Sequence, residues 1–252
     1  GGLDYVNASS NTYVSWHWRA NGGTTSTNST GSLSVTQQVD PSGGFSISTY
    51  SGDGGTDTIG HGLSSAPTFV VVKQRNGANN WAVYAKGAGN TKYAYLDTDG
   101  TFGTAAMWQN TTPSSSLVYL GDNNEVNAGS RTYVAYCFAD TEGYIKSGSY
   151  VGNGNADGSF VYTGFKPAWV MVKNTSATEA WVVADNGRSP FNVVDKILKP
   201  NNSNAEATGS TYYCDFLSNG FKPRTTWEGW NQTNTFVYLA FAENPFKYAT
   251  AR

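Results

Sequence analysis

Along this chain apolar residues either recur with a period of two or stand together, as in Phe69-Val70-Val71-Val72, in short runs broken by Gly, Asn, Ser and Asp. That period sends successive side chains to opposite faces of a strand. It predicts strands at Gly44–Tyr50, Thr68–Gln74, Asn80–Ala85, Lys92–Leu96 and Ser116–Leu120, with turns at Gly52–Gly55 and Arg75–Gly77. A further strand is expected near Leu33–Val35, and only Ser189–Asp195 suits a helical turn. Strands at this spacing suit an antiparallel sandwich or barrel.

The pattern repeats. Pro67-Thr68-Phe69-Val70-Val71-Val72-Lys73 returns 100 residues later as Pro167-Ala168-Trp169-Val170-Met171-Val172-Lys173. At the same offset Tyr50-Ser51-Gly52-Asp53-Gly54 matches Tyr150-Val151-Gly152-Asn153-Gly154, and Trp81-Ala82-Val83 matches Trp181-Val182-Val183. A second strand occurs in three copies, Thr12–Ala20, Thr132–Ala139 and Thr235–Ala242. One face of each reads Val14/Trp16/Trp18, Val134/Tyr136/Phe138 and Val237/Leu239/Phe241. The first two copies also match upstream, as Val6-Asn7-Ala8 and Val126-Asn127-Ala128.

Repeats of this length define the organisation. Residues 1–42 are read as a strand from a preceding repeat plus a Ser/Thr/Gly-rich linker, residues 43–142 as unit one, and residues 143–252 as unit two. The first strand implies either a longer polypeptide on its N-terminal side or completion of a neighbouring unit. The expected fold is all-β, two tandem antiparallel sandwich-like units of ~100 residues, each long enough for a core of its own.

Composition agrees. Aromatic residues are 14% of the chain, charged residues only 13%, and the net charge is −2. A basic stripe for nucleic acid is not in view, and no apolar run reaches the ~20 residues of a membrane helix. No nucleic-acid partner and no membrane insertion are therefore expected. The two cysteines, Cys137 and Cys214, read as buried thiols rather than a disulfide framework.

Several of these residues resemble a repeat of tailed-phage virion proteins, tail-fibre and appendage proteins of marine and metagenomic phages. The resemblance rests on Gly44–Tyr50, Ile59-Gly60-His61-Gly62-Leu63 with Ala66-Pro67, Thr132–Ala139, Phe216–Lys222, and Phe241-Ala242-Glu243-Asn244-Pro245-Phe246-Lys247. It covers nearly the whole chain. It implies a virion-surface location, a homotrimer, contact with other virion proteins, and no enzyme activity. The His61 motif is absent from unit two, where Tyr162-Thr163-Gly164-Phe165 stands instead.

Candidate chemistry is sparse. His61, between two glycines, reads as a turn residue bonded to local backbone, with no partner at metal-ligand spacing. His17 stands where the other strand copies have Cys137 and Ala240. Asp53-Gly54, Asn153-Gly154 and Asp97-Thr98-Asp99-Gly100 read as turns before calcium loops. Trp81 and Trp181 recur and read as packing residues. Trp108 and the pair Trp227/Trp230 lack counterparts in the other unit and sit in polar segments. Trp227, Glu228, Trp230, Trp108 and Asn110 are the expected ligand contacts, since a sugar site needs a ring face beside amides and carboxylates. Loop packing at a subunit interface is the competing use of such residues. Glu228 lacks the matched second carboxylate of a glycosidase. No catalytic residue, metal or cofactor is expected. The expected function is host-surface glycan or protein recognition by a phage appendage. A purely structural virion role (head decoration, fibre shaft or baseplate) is the alternative, and a polysaccharide depolymerase the third.

Overall fold

The computed structural model describes residues 8–245. The chain is almost entirely β. Its strands are β1 (Ser26–Asn28), β2 (Val35–Val39), β3 (Phe45–Ser51), β4 (Asp57–Gly60), β5 (Phe69–Gln74), β6 (Ala82–Ala85), β7 (Lys92–Tyr95), β8 (Gly103–Thr104), β9 (Leu117–Leu120) and β10 (Thr132–Phe138). Then come β11 (Ile145–Val151), β12 (Val161–Tyr162), β13 (Pro167–Asn174), β14 (Val182–Asp185), β15 (Lys196–Leu198), β16 (Ala207–Thr208), β17 (Cys214–Leu217), β18 (Gly220–Pro223) and β19 (Thr235–Ala242).

The repeat in sequence is a repeat in topology. Unit one's large sheet contains the order β3-β10-β5-β6-β7-β8, and unit two's sheet has the same order, β11-β19-β13-β14-β15-β16. In both, the last strand of the unit inserts between its first and third: β10 pairs antiparallel with β3 and β5, and β19 with β11 and β13. A smaller sheet covers one face in each unit, β4-β9 in unit one and β12-β18-β17 in unit two.

Both faces of the large sheets are buried, which is why β5 and β13 read as continuous apolar runs. Val70, Val72, Tyr133 and Cys137 face an outer core with Ile59, Val118 and Leu120 of the small sheet. Val170, Val172, Phe236 and Ala240 do the same in unit two against Phe216 and Phe221. The opposite faces meet each other. Phe69, Val71, Val83 and Phe138 share one core with Trp169, Met171, Trp181, Val183, Leu239 and Phe241. The units are thus two sandwiches packed on one central core, giving four β layers.

Directed contacts fix that packing. Phe69 meets Trp181 edge-on at 6.2 Å and Phe138 meets Phe241 at 5.7 Å. The Trp181 indole N–H donates to Tyr95 O at 2.8 Å, and Phe102 N–H donates to Thr175 O at 3.0 Å. Lys173, with no exposed surface, donates its ammonium to Asp99 O, Asn174 O and Ala177 O at 3.3, 3.0 and 3.3 Å.

Each unit also carries the same buried clamp. The Tyr50 hydroxyl donates to Val126 O at 2.6 Å, and Tyr150 to Trp230 O at 2.7 Å. Tyr50 stacks on Tyr133 at 5.1 Å and Tyr150 on Phe236 at 5.0 Å. The next residue, Asn127 or Asn231, is fully buried and holds the Gly-rich turn through its amide. Asp53 N–H donates to Asn127 Oδ1 at 3.2 Å, and Asn153 N–H to Asn231 Oδ1 at 3.0 Å. Gly54 and Gly154 sit in those turns at φ +83° and +65°, where a side chain is strained. The turn reading of Asp53-Gly54 and Asn153-Gly154 holds.

Three expectations need correction. Residues 21–42 are not a free linker: β1 and β2 extend unit one's sheet beyond β3, the second strand starting at Val35. Ser189–Asp195 forms no helical turn, because Asn192 is fixed to Phe216 instead, accepting its N–H at 2.8 Å and donating to its carbonyl at 2.9 Å. Thr12–Ala20 has the strand pattern but belongs to no sheet of the described residues. It runs extended beside the central core, with Trp16 and Trp18 packed inward and Ser15, His17 and Arg19 exposed.

Candidate functional site

The expected contact residues separate in space. Trp108 is fully buried in the outer core of unit one, edge-on to Tyr84 at 5.9 Å. Trp230 is fully buried in the outer core of unit two, against Phe221 at 6.3 Å. Neither ring can stack on a ligand, and the shared core lies between their two cores. Both were misread for one reason. Each borders a short polar segment, yet the chain there turns inward, over Ala106–Trp108 in one case and Trp227–Asn231 in the other. Asn110 is exposed, two residues after buried Trp108, at φ 50°.

Trp227 and Glu228 stand at the surface of unit two. The Thr225 hydroxyl accepts the Trp227 N–H at 3.0 Å, and Trp227 O accepts N–H groups of Trp230 and Asn231 at 3.1 and 2.8 Å. This tight turn leaves the Trp227 ring half-buried and Glu228 exposed. The ring lies on the backbone of Gly229, where an added Cβ would come within 2.4 Å of Trp227 Cη2. Tyr212 meets the ring edge-on at 5.0 Å, and the Lys199 ammonium stands 5.4 Å from its centroid. Glu179, half-buried nearby, has its carboxyl raised above the usual range, first by burial and then by the charge of Glu228. The group offers an apolar ring, an ammonium donor and carboxylate acceptors within one surface patch. Tyr212 and Lys199 were not legible as partners, because they are contributed by β-strand connections distant in sequence. Tyr212 ends a one-turn 3-10 helix in the place that Trp108 holds in unit one.

The remaining candidates are structural. His61 is fully buried: its Nδ1 accepts the Leu63 N–H at 3.0 Å and its Nε2 donates to Ser114 O at 3.2 Å. Burial lowers its pKa, favouring the neutral ring. Asp97 accepts the Trp81 N–H at 3.0 Å, which fixes that segment as a turn. Among the described residues no three of His, Cys, Asp and Glu gather as metal ligands, and no helix is long and apolar enough to cross a membrane.

Two cavities flank the Thr12–Ala20 segment. One, of about 910 Å³, has mixed walls, with Asp185, Arg188, Asn204 and Glu206 opposite Trp16 and Trp169. Arg188 there is nearly buried, donating to Asp185 Oδ2 at 2.7 Å, Glu206 Oε2 at 3.0 Å and Val183 O at 3.1 Å. The other, of about 540 Å³, is apolar, lined by Trp18, Ile47, Trp81, Tyr136, Trp169 and Leu239 among others.

A family model for DUF7483, a domain of unknown function, matches residues 2–245, and the chain belongs to that family. No curated protein and no solved structure matches it.

Proposed function

We propose that this chain is a non-enzymatic surface appendage of a tailed-phage virion, a tail-fibre region that recognises a host-surface glycan through the Trp227 patch. The observation that carries this is the seating of Trp227. Its ring is half-exposed, fixed on Gly229, and bordered by Lys199 and Glu228. A fixed ring stacks on sugar C–H bonds at little entropic cost, while the charged neighbours bond hydroxyls. A single patch of this size binds weakly, and a trimeric fibre with many copies per particle raises the overall strength by avidity.

The second reading is a structural virion component. Burial of Trp108 and Trp230 favours it, since two of the residues a receptor site could use are spent on packing. Binding separates the readings. Labelled protein is applied to bacterial strains, including hosts of phages that carry the repeat, and to their extracted surface glycans, beside Trp227→Ala. Selective binding that the folded variant loses supports the proposal. Selective binding that it keeps moves the site elsewhere. No selective binding to any strain supports the structural role, and shortening of a glycan chain reveals a depolymerase.

A further inference from the structure

Thr12–Ala20 shares the sequence pattern of the closing strands β10 and β19, and the segment leading into it shares the local geometry that leads into β10. Ala8 N–H donates to the Tyr13 hydroxyl at 2.8 Å, as Ala128 N–H does to Tyr133 at 2.8 Å. Ser10 and Ser130, three residues ahead of these tyrosines, both adopt the left-handed backbone, φ 69° and 61°. The local shape that launches β10 is thus already set in the N-terminal segment. Moreover, the equivalent aromatics of all three copies meet. Trp18 lies 6.5 Å from Phe138 and 5.2 Å from Phe241, which are 5.7 Å from each other. Three closing strands therefore converge on one point, and two of them bring complete sheets.

We propose that Ala8–Ala20 closes a third β unit of this same repeat, lying ahead of Ala8 in the polypeptide, and that this unit completes a three-sided assembly around the Trp18–Phe138–Phe241 cluster. In both built units the closing strand comes last, so the strands that flank it precede it.

The two cavities are where that third side fits. Unit one covers the indole of unit two: Trp181 is fully buried under Phe102 and its N–H reaches Tyr95 O. Trp81, its counterpart, has no such cover and lines the apolar cavity. Conversely, the segment of unit two that corresponds to the Phe102 cover ends in Glu206, immediately before β16 as Phe102 is before β8. It lines the larger cavity, across from Trp16 and Trp169. The indole N–H of Trp169, on the wall of both cavities and 8% exposed, meets no acceptor. A third unit supplies the missing cover for Trp81 and receives the cover that Glu206 and Asn204 offer.

Two differences shape the partner. Ser15, His17 and Arg19 stand where β10 and the residue after it bury Ala135, Cys137 and Ala139. The outer layer of the third unit therefore leaves that face in water. The β3 edge is occupied by β2, whereas the β11 edge lies against Gly87, between β6 and β7.

The inference does not depend on the Trp227 patch. It is tested by placing a copy of residues 43–127, unit one without its closing strand, directly ahead of Ala8, so that Asn127 meets Ala8 as it meets Ala128. A second chimera adds His17→Cys and Arg19→Ala, restoring the outward face of β10. Hydrogen exchange at Val14–Arg19 and acrylamide quenching after Trp81→Phe are compared with the parent chain. Slowing of these amides to the rates of β10 in either chimera, with the Trp81-dependent quenching reduced, supports the third side. Amides that exchange as in the parent in both chimeras, with the added copy open to protease, overturn it.

Discussion

At the scale of the residue, Gly229 controls the proposed site without touching a ligand. A methyl at Gly229 would lie 2.4 Å from the Trp227 ring, so Gly229→Ala must push the indole off its seat. Such overpacking costs about 1–3 kcal/mol, and glycan binding is expected to fall roughly tenfold or more as the platform moves. Binding and urea titrations of the variant check both figures. The buried amides carry a different load. Asn231 donates to Asn153 Oδ1, Asn155 O and Thr225 O at 2.9, 2.6 and 3.0 Å. Asn231→Ala strands these acceptors and is expected to cost roughly 2–4 kcal/mol in urea unfolding. Lys173 sets a pH dependence. Burial, only partly offset by the charges of Asp99 and Glu179, lowers its pKa from 10.5 to about 8. The unfolded chain then holds this proton more tightly than the folded one. The penalty is full below pH 8 and fades as pH rises from about 8 to 10.5, so stability from this group increases across that window. Lys173→Met removes that increase: the stability difference between parent and variant is expected to be flat below pH 8 and to shift toward the parent above it. Single residues were the hardest scale to read from sequence. A Trp flanked by Asn, Gln and Glu has the same local signature whether it packs, as Trp108 and Trp230 do, or is half-exposed, as Trp227 is.

At the scale of the element, short apolar runs bounded by turn residues located the strands well, because the large sheets bury both faces and leave continuous apolar signals such as β5 and β13. β3, β5, β6, β7, β9 and β10 fall on the predicted segments. Alternation misplaced Thr12–Ala20, since a period of two reports which side is buried and not whether the backbone has ladder partners. The short strands β8, β12 and β16, of two residues each, lie below what periodicity can detect. The placement of β10 and β17 fixes the thiols. Cys137 and Cys214 are free, buried and in different outer cores. Burial pushes the Cys137 thiol up to about 12 and the Cys214 thiol higher still. Neither is expected to react with a disulfide reagent at pH 8 until the sheets open, so the labelling rate should track global unfolding. Fast labelling of either thiol in the folded protein would contradict its placement.

At the scale of the whole molecule, the tandem repeat was legible and the shared core was not. Each unit of ~100 residues has the length for an independent sandwich, and nothing in a strand's alternation says whether its second apolar face meets a small sheet or another unit. The inner faces of β5, β6, β10, β13, β14 and β19 all end in one core, tied by the Trp181–Tyr95 and Lys173–Asp99 hydrogen bonds. That arrangement predicts that the two units fold as one body, and it gives the Thr12–Ala20 segment an aromatic cluster to pack on. Differential scanning calorimetry tests this most directly. Sandwiches joined through Phe69, Trp169, Trp181 and Phe241 should melt in a single transition whose calorimetric and van't Hoff enthalpies agree, and Trp181→Ala should lower the melting of both units together. Two separate transitions, with only unit two responding to Trp181→Ala, would contradict the shared core.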